Sequence, residues 1–281
     1  MDINKNTLLG SKSLPEFAKI QSRDMYQAIS YLTKENIKII NDIEGLKKLS
    51  WKNFVYKIEE SDDKIAKAWA PIRHLNSVMN DPLIRKQYEK SLNLLTKHYA
   101  KIGQNKKLFS QYEIFYNENK TRLNSNQKKL LKDTLNGFKL SGVHLDSKKR
   151  KSFRECQEKL ANLEATFEQN ILDSTNSWSK NFKTKKMLEG IPENALEIAA
   201  EVASARKENG YTLTLDQPCY MAVMTFAKNQ NLRKTLYLAY ASRASDKFPI
   251  KGPWDNTKNI QEILGLRQTM AQILDYKNFA E

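Results

Sequence analysis

The sequence predicts an all-α protein, mainly long antiparallel helices, with one short strand or small sheet near residues 211–215. Three observations support this class. Of the 281 residues, 40% are apolar and 28% are charged, and only 9 are glycine and 7 proline. Apolar side chains recur at intervals of three and four over most of the chain. All-β domains usually contain more turn residues and disordered chains contain fewer apolar ones, so both of these classes are disfavoured.

The helical periodicity divides the chain into successive amphipathic segments. Each segment places its apolar residues on one face, as expected for helices that pack on a common core. The predicted helices cover residues 22–40, 51–62, 65–78, 82–99, 108–116, 124–140, 147–178, 193–207, 218–227, 231–243 and 257–274. The segment 147–178 is the longest and is typical of one arm of an antiparallel hairpin.

Capping residues, prolines and glycines refine this pattern. Asp81 and Pro82 form an N-cap and first-turn pair for the fourth helix. Pro71 lacks a backbone donor and should kink or divide the segment around it. Gly265 within the last helix indicates a close backbone approach. Residues 278–281 carry the Asn and Glu spacing of a capping box, so another helix is expected to start there.

The clearest strand pattern follows a predicted turn at Asn209 and Gly210. Tyr211, Leu213 and Leu215 alternate there with threonines. Such alternation indicates a strand that is buried on one face. Two roles are open for this strand. An exposed edge could bind an extended peptide by strand addition, or the strand could pair with another that lies outside this chain.

The chain is strongly basic. It has 47 Lys and Arg residues against 32 Asp and Glu, a formal net charge of +15. Such a charge attracts polyanions, but the excess is mostly scattered lysine, which favours compositional bias over a dedicated anion site. The basic block at 148–151 opens the longest helix and is either a solvated turn or an anion contact. The alternative function is therefore a basic helical adaptor that binds nucleic acid or acidic partners.

The sequence contains no motif that assigns a catalytic or metal site. His74, His98 and His144 lack a second histidine or an acidic ligand at helical spacing. Cys156 and Cys219 lie far apart and outside any CxxC pattern, so neither a disulfide framework nor a zinc knuckle is supported. Walker, Rossmann and Gly-x-Ser-x-Gly fingerprints are absent. The sequence shows no signal peptide and no membrane-spanning run, so we expect a cytoplasmic location.

Aromatic and charged side chains in the segment 211–254 are the candidate functional groups. The aromatic side chains either line a ligand groove or belong to the core. Two polar residues are of interest, and the structural alternative for them is a mutual ion pair that fixes the following loop. The aromatic set is Tyr211, Tyr220, Tyr237, Tyr240 and Trp254, and the polar pair is Arg243 and Asp246.

Five stretches of the sequence carry a resemblance to a known family. They read PIRHLNSVMNDPLIRKQYE, LSGVHLDSKKRKSF, NILDSTNSWSKNF, YTLTLDQPCYMAVMTFAKNQNLRKTLYLAYASRASD and WDNTKNIQEILGLRQTMAQILDYKNFAE. In these stretches the chain closely resembles bacterial members of the thimet oligopeptidase family of zinc metallopeptidases. The similarity covers nearly the whole chain after the first dozen residues, and it rests on several long matches in the same order.

The resemblance implies an intracellular, mostly helical peptidase whose two lobes flank a deep channel that admits short unfolded peptides. The family's zinc is held by a His-Glu-x-x-His helix and a further Glu, and the motif Glu acts on the zinc-bound water as general base. This sequence contains no His-Glu-x-x-His. No catalytic residue and no metal ligand is therefore assigned to this chain, and the zinc ligands are expected C-terminal to it.

On this basis we expect a neurolysin-like N-terminal region in three parts. A flexible arm covers 1–14, a helical channel wall covers 15–210, and the start of the catalytic lobe covers 211–281, truncated before the zinc motif. The expected partners are short peptide substrates and the remaining C-terminal catalytic part of the same protein, without a membrane or nucleic acid. The chain alone is expected to be inactive. The candidates for the substrate channel are Tyr211, Tyr240, Arg243, Asp246 and Trp254.

Overall fold

The computed structural model describes residues 6–10, 14–79 and 81–281, and it divides into two compact units. The first unit consists of Met1–Asn162 and Gly265–Glu281, and the second consists of Leu163–Leu264. The expected start of a catalytic lobe at residue 211 is a functional assignment that this division does not test, so it stays a prediction.

Helices dominate the described residues, which confirms the all-α class. The helices are α1 (Ser22–Glu44), α2 (Val55–Met79), α3 (Pro82–Gly103), α4 (Lys106–Asn119), α5 (Ser125–Leu140), α6 (Ser147–Ser177), α7 (Glu193–Ala205), α8 (Gln217–Phe226), α9 (Gln230–Ala241) and α10 (Thr257–Ile273). The strands are β1 (Ser179–Phe182) and β2 (Tyr211–Thr214). Short 3-10 turns cover Thr7–Leu9, Phe17–Lys19 and Lys185–Leu188.

The first unit is a packed group of helices in which α1 contacts both α2 and α3. Met25, Ile29 and Leu32 lie on the buried face of α1 because their spacing follows the helical repeat. A second apolar cluster is centred on Phe54, whose ring centroid is 4.5 Å from that of Tyr112. Both rings are fully buried, so they contribute to the stability of this unit through apolar burial.

Among the described N-terminal residues, Asn6 is fixed to this unit by a side-chain hydrogen bond. Asn6 is buried, and its Nδ2 donates to the backbone oxygen of Asp24 at 2.9 Å. Its Oδ1 accepts from the backbone N–H of Leu8 at 3.0 Å. The rest of the predicted flexible arm over 1–14 lies mostly outside the described residues, and its flexibility stays a prediction.

Three local predictions in this unit need correction. The helix α2 runs without a break from Val55 through Pro71 to Met79, so the separate helices predicted over 51–62 and 65–78 form one helix and a division at Pro71 is wrong. A kink at Pro71 stays a prediction. Pro71 is buried, and the apolar residues of α2 keep the helix intact although one backbone donor is missing. A Cβ added to Gly265 would meet nothing within 4 Å, so the predicted close approach is also wrong. Asn278 accepts from the Glu281 N–H as predicted, but Glu281 caps Lys277 instead of completing the box.

The second unit contains the small sheet. The strands β1 and β2 are antiparallel, with Phe182 opposite Tyr211 and Ser179 opposite Thr214. One strand partner of β2 is therefore part of this chain. Whether the other edge of β2 binds an extended peptide or a further strand stays a prediction. Leu213 and Leu215 are buried in an apolar cluster that also contains side chains of α7, α8 and α9. This cluster positions the aromatic and charged groups described below.

In the part of the chain that the structure describes, no helix has both the length and the apolar character needed to cross a bilayer.

Candidate functional site

Three side chains of the second unit form a stack that we call the arginine stack: Tyr220, Tyr240 and Arg243. The rings of Tyr220 and Tyr240 are nearly parallel, at 14°, with centroids 3.9 Å apart. The guanidinium carbon of Arg243 lies 3.6 Å from the centroid of Tyr240. Two groups this close to one ring must occupy its opposite faces, so Tyr240 is held between the other two. A cation over an aromatic face is attracted by the ring quadrupole.

Hydrogen bonds fix the orientation of the Arg243 guanidinium. Its Nε donates to the backbone oxygen of Tyr240 at 2.9 Å, and its Nη1 donates to Oγ1 of Thr175 at 3.1 Å. The Thr175 hydroxyl donates in turn to the backbone oxygen of Ile171 at 2.7 Å, so its oxygen is available to accept. Arg243 is therefore attached both to the end of α9 and to α6.

The guanidinium keeps free hydrogen-bonding capacity. An arginine side chain has five N–H donors, and two are used here. Within residues 6–10, 14–79 and 81–281, Arg243 has no carboxylate partner, and no Arg243 nitrogen is buried without an acceptor. The unused Nη2 donors are accordingly not fully buried. The arrangement can receive a planar anion.

The turn that follows α9 supports this arginine. Ala244 has a φ of +52°, a left-handed conformation that is unfavourable for residues with a Cβ. Its backbone oxygen accepts from the N–H of Asn256 at 2.9 Å, and the Ser245 hydroxyl donates to the backbone oxygen of Ser242 at 2.7 Å. These bonds keep the strained turn in place directly beside Arg243.

Asn256 is the centre of a buried amide network. Its Nδ2 donates to the backbone oxygen of Phe167 at 3.1 Å, and its Oδ1 accepts from Asn170 at 2.9 Å and from Asn259 at 3.1 Å. Asn259 also donates to the backbone oxygen of Leu163 at 3.0 Å. The network ties the segment before and at the start of α10 to α6, the helix that holds Thr175.

Two further predicted residues pack on the apolar cluster of the second unit. Tyr211 and Trp254 are half-buried against that cluster. Lys185 Nζ lies 5.8 Å from the ring centroid of Tyr211. The hydrogen bond from Lys185 to Glu193 raises the pKa of the lysine. Trp254 covers Gly252 so closely that a Cβ there would lie 2.2 Å from the indole ring.

The fifth predicted residue, Asp246, is exposed and has a different ionic partner from the one considered. Its Oδ2 lies 3.1 Å from Nζ of the neighbouring Lys247. The mutual ion pair considered for Arg243 and Asp246 is therefore not formed. The structure brings Tyr240 and Arg243 into direct contact and leaves Asp246 apart. The role of the five residues in a substrate channel stays a prediction.

Sequence reasoning missed the residues that hold Arg243 in place. Thr175 precedes it by 68 positions and Asn256 contacts α6 across 86 to 89 positions. No local pattern connects such distant residues. Tyr220 was recognised as one of the aromatic set, but its stacking on Tyr240 depends on how α8 and α9 pack.

The potential metal ligands of the chain are dispersed. Among the described residues, no group of three His, Cys, Asp or Glu side chains could hold a metal ion. His74 and His144 are exposed, whereas His98 is buried. Burial and the neighbouring Lys101 lower the pKa of His98 to about 4. Cys219 is a free thiol that accepts from the Thr214 N–H, and burial raises its pKa.

Comparisons with known proteins relate the chain to one group of peptidases. Residues 25–150 match the family model described as the neurolysin/thimet oligopeptidase N-terminal domain. The chain is 38% identical over 280 residues to oligopeptidase A of Salmonella typhimurium, covering 98% of this chain and 41% of that protein. It is 37% identical over 284 residues to oligopeptidase A of Escherichia coli, with the same coverage.

A plant relative extends the similarity. The chain is 31% identical over 287 residues to the probable cytosolic oligopeptidase A of Arabidopsis thaliana, covering 99% of this chain and 40% of that protein. The chain thus spans about 40% of the length of the curated relatives it matches.

Proposed function

We propose that the chain is the non-catalytic N-terminal region of a zinc-dependent oligopeptidase. Residues 25–150 match the model of the neurolysin/thimet oligopeptidase N-terminal domain, and nearly the whole chain is similar to about two fifths of the oligopeptidase A relatives. The parent protein hydrolyses short peptides inside a deep channel, in the cytoplasm. The observation that carries this proposal is the extent of the similarity, 98% of this chain at 38% identity to the Salmonella typhimurium protein.

The residues that the structure describes do not fit a zinc site. The sequence has no His-Glu-x-x-His, and no suitable cluster occurs among the residues that the structure describes. We therefore place the zinc ligands and the catalytic base in the remaining C-terminal part of the parent protein. When bound there, zinc supplies a water of lowered pKa and polarises the peptide carbonyl.

The contribution of this chain is to bind and orient the peptide. Its helices form a wall of the channel, and the side chains of the second unit offer aromatic surfaces and one fixed guanidinium. Aromatic surfaces bind apolar parts of many peptides without strong sequence preference, whereas a guanidinium selects an anionic group. This combination suits an enzyme that accepts varied short peptides.

A cleavage assay with an internally quenched peptide tests the proposal. The chain alone, supplied with zinc, should release no product above the buffer control, whereas the parent protein should cleave the peptide. A chelator should abolish cleavage by the parent, and added zinc should restore it. Turnover by residues 1–281 alone would contradict the non-catalytic role. Cleavage by the parent that resists metal removal would contradict the zinc mechanism.

A further inference from the structure

The orientation of Arg243 goes beyond a general role in a channel wall. We propose that Arg243 is a carboxylate-binding site, which receives either the C-terminal carboxylate of a short peptide or an acidic side chain within it. The inference rests on the proposed function for the identity of the ligand as a peptide. The chemistry that it assigns to Arg243 follows from the contacts of that residue alone.

The first argument is that the guanidinium is prepared for a planar anion. The ring of Tyr240 supports one face of the guanidinium, and the bonds to the Tyr240 backbone oxygen and Thr175 fix its rotation. An arginine that is already oriented loses less conformational entropy when it binds a carboxylate through two parallel hydrogen bonds. A free surface arginine lacks this advantage.

The second argument is that the site has no internal anion. In the described part of the chain, no Asp or Glu forms an ion pair with Arg243, although the residue is half-buried. The nearest acidic candidate from the sequence, Asp246, contacts Lys247 instead. A partly desolvated cation without a counter-charge attracts an external anion more strongly than a fully hydrated cation does.

The third argument is that the site is held under local strain. Ala244 keeps a left-handed φ of +52° directly after Arg243, and the Asn256 N–H and the Ser245 hydroxyl maintain the turn. A strained residue persists only where its surroundings determine its conformation, and such residues concentrate at ligand sites. Left-handed residues also follow α7 at Lys207 and α10 at Asp275, so the conformation is one that helix ends commonly adopt, and its contribution here is to fix the backbone beside Arg243.

Peptide binding without turnover tests the site. The probes are pentaalanine with a free C-terminal carboxylate, pentaalanine amide, and acetyl-Ala-Ala-Glu-Ala-Ala amide. The readout is the Nε–Hε resonance of Arg243, identified as the signal that Arg243→Gln removes, together with calorimetric titration. We expect saturable binding of the free acid at least tenfold tighter than that of the amide. Binding of the glutamate peptide would identify side-chain carboxylates as a second source of the ligand within the same site.

Variants separate binding from folding. Arg243→Gln should reduce the acid-to-amide ratio to about one, and Arg243→Lys should reduce it severalfold because the lysine keeps the charge but loses the planar fork. Thr175→Val removes one anchor and should weaken binding of the acid while leaving the charge in place. The matched control is Arg206→Gln, because Arg206 is exposed and donates to Ser179, and this change should leave the ratio unchanged.

The outcomes distinguish this inference from the proposed function. Equal affinity of the acid and the amide, or an unchanged ratio in Arg243→Gln, would overturn the carboxylate site even if the parent protein cleaves peptides. A ratio that depends on Arg243, combined with a parent protein that cleaves nothing, would leave the site in place and overturn the peptidase function. A loss of fold stability alone changes both affinities and does not change the ratio.

Discussion

Asp62 is a half-buried carboxyl whose ionisation costs stability at neutral pH. It lies on α2 and accepts a hydrogen bond of 2.9 Å from Nδ2 of Asn36. Burial raises its pKa to about 6, and the neighbouring Glu59 adds to the increase, while the bond from Asn36 acts in the opposite direction. Asn36 Oδ1 is itself buried without a partner among the described residues. Hydrogen bonds therefore compensate only part of the desolvation of Asp62 and Asn36.

We expect Asp62→Asn to stabilise the protein at pH 7.5 by roughly 2 kcal/mol. The pKa of Asp62 is higher in the folded state, at about 6, than the ordinary value of 3.8. The folded protein consequently binds the proton more tightly, and the penalty of the ionised form is present in full above pH 6 and is lost as the pH falls from 6 towards 4. Urea denaturation at pH 7.5, 6 and 4 measures the free energy of unfolding of variant and wild type. The difference between them should shrink at each step towards acid.

The neighbouring Asp63 provides the control for this prediction. It is exposed and forms an ion pair with Lys67, and exposed pairs contribute little to stability. Asp63→Asn should change the free energy of unfolding by less than about 0.5 kcal/mol at every pH. His98 has a lowered pKa, so it destabilises the fold as the pH falls below 6.5. This effect is the same in the wild type and in the variants, so it cancels in the difference between them. A difference that is independent of pH would contradict the role given to Asp62.

At the same scale, the sequence identified the chemical groups of the site but not their partners. Tyr240 is predicted as one of several aromatic side chains that could line a ligand groove, and Arg243 as a polar residue of interest. The two residues are three positions apart. Their contact, at 3.6 Å, is a local feature that such spacing permits. The anchor Thr175 and the amide network around Asn256 involve residues that are brought together only by packing of α6 on later segments. No local pattern can predict such contacts.

Among the secondary-structure elements, the two-stranded sheet depends on Gly210. This glycine has a φ of +91°, and an added Cβ would lie 2.1 Å from the backbone oxygen of Phe182 and 2.9 Å from Cα of Lys183. An alanine would therefore both strain the turn and push β1 away from β2. The Asn181 side chain, which joins the strands through Thr212 and the Asn209 oxygen, would lose its partners as well.

We expect Gly210→Ala to destabilise the protein by about 2 kcal/mol or more. The matched control is Gly265→Ala in α10, where an added Cβ meets nothing within 4 Å. Alanine has the higher helix propensity, so this change should stabilise the protein by about 0.5 to 1 kcal/mol. Chemical denaturation followed by circular dichroism measures both. Equal changes in the free energy of unfolding for Gly210→Ala and Gly265→Ala would contradict the conclusion that Gly210 is tightly packed and Gly265 is not.

The elements themselves were predicted unevenly, for physical reasons. Helices with a continuous apolar stripe, such as α1 and α6, were identified together with most of their length. The strand β2 was recognised from its alternation, whereas β1 was missed because Ser179–Phe182 carries no alternating pattern and is defined by pairing alone. The helix around Pro71 is predicted to kink or divide, and the division is wrong because the burial of this segment offsets the local cost of proline.

For the whole molecule, the net charge of +15 is distributed over exposed helix faces. Several lysines pair with acidic residues one turn away, including Lys64 with Glu60, Lys129 with Asp133 and Lys151 with Glu155. The basic block at 148–151 lies on the first turn of α6, where Asp146 accepts from the N–H groups of Lys148 and Lys149. The capping carboxylate, whose pKa these bonds lower, already accepts from two of the free amides of that helix end.

We therefore expect the chain to bind duplex DNA only through weak, non-specific attraction. Affinity measured by fluorescence anisotropy should fall from 50 to 200 mM salt and should be negligible at the higher concentration, because exposed charges are screened beyond about 10 Å at 0.1 M salt. Replacing Lys148, Lys149 and Lys151 by Gln should alter the slope of log affinity against log salt. The change should be no larger than that caused by replacing three scattered lysines elsewhere in the chain. Each phosphate contact contributes about 0.9 to that slope. A steep slope that falls by two to three with these replacements would instead assign the block to a nucleic-acid interface, and it would favour a basic adaptor over a channel wall.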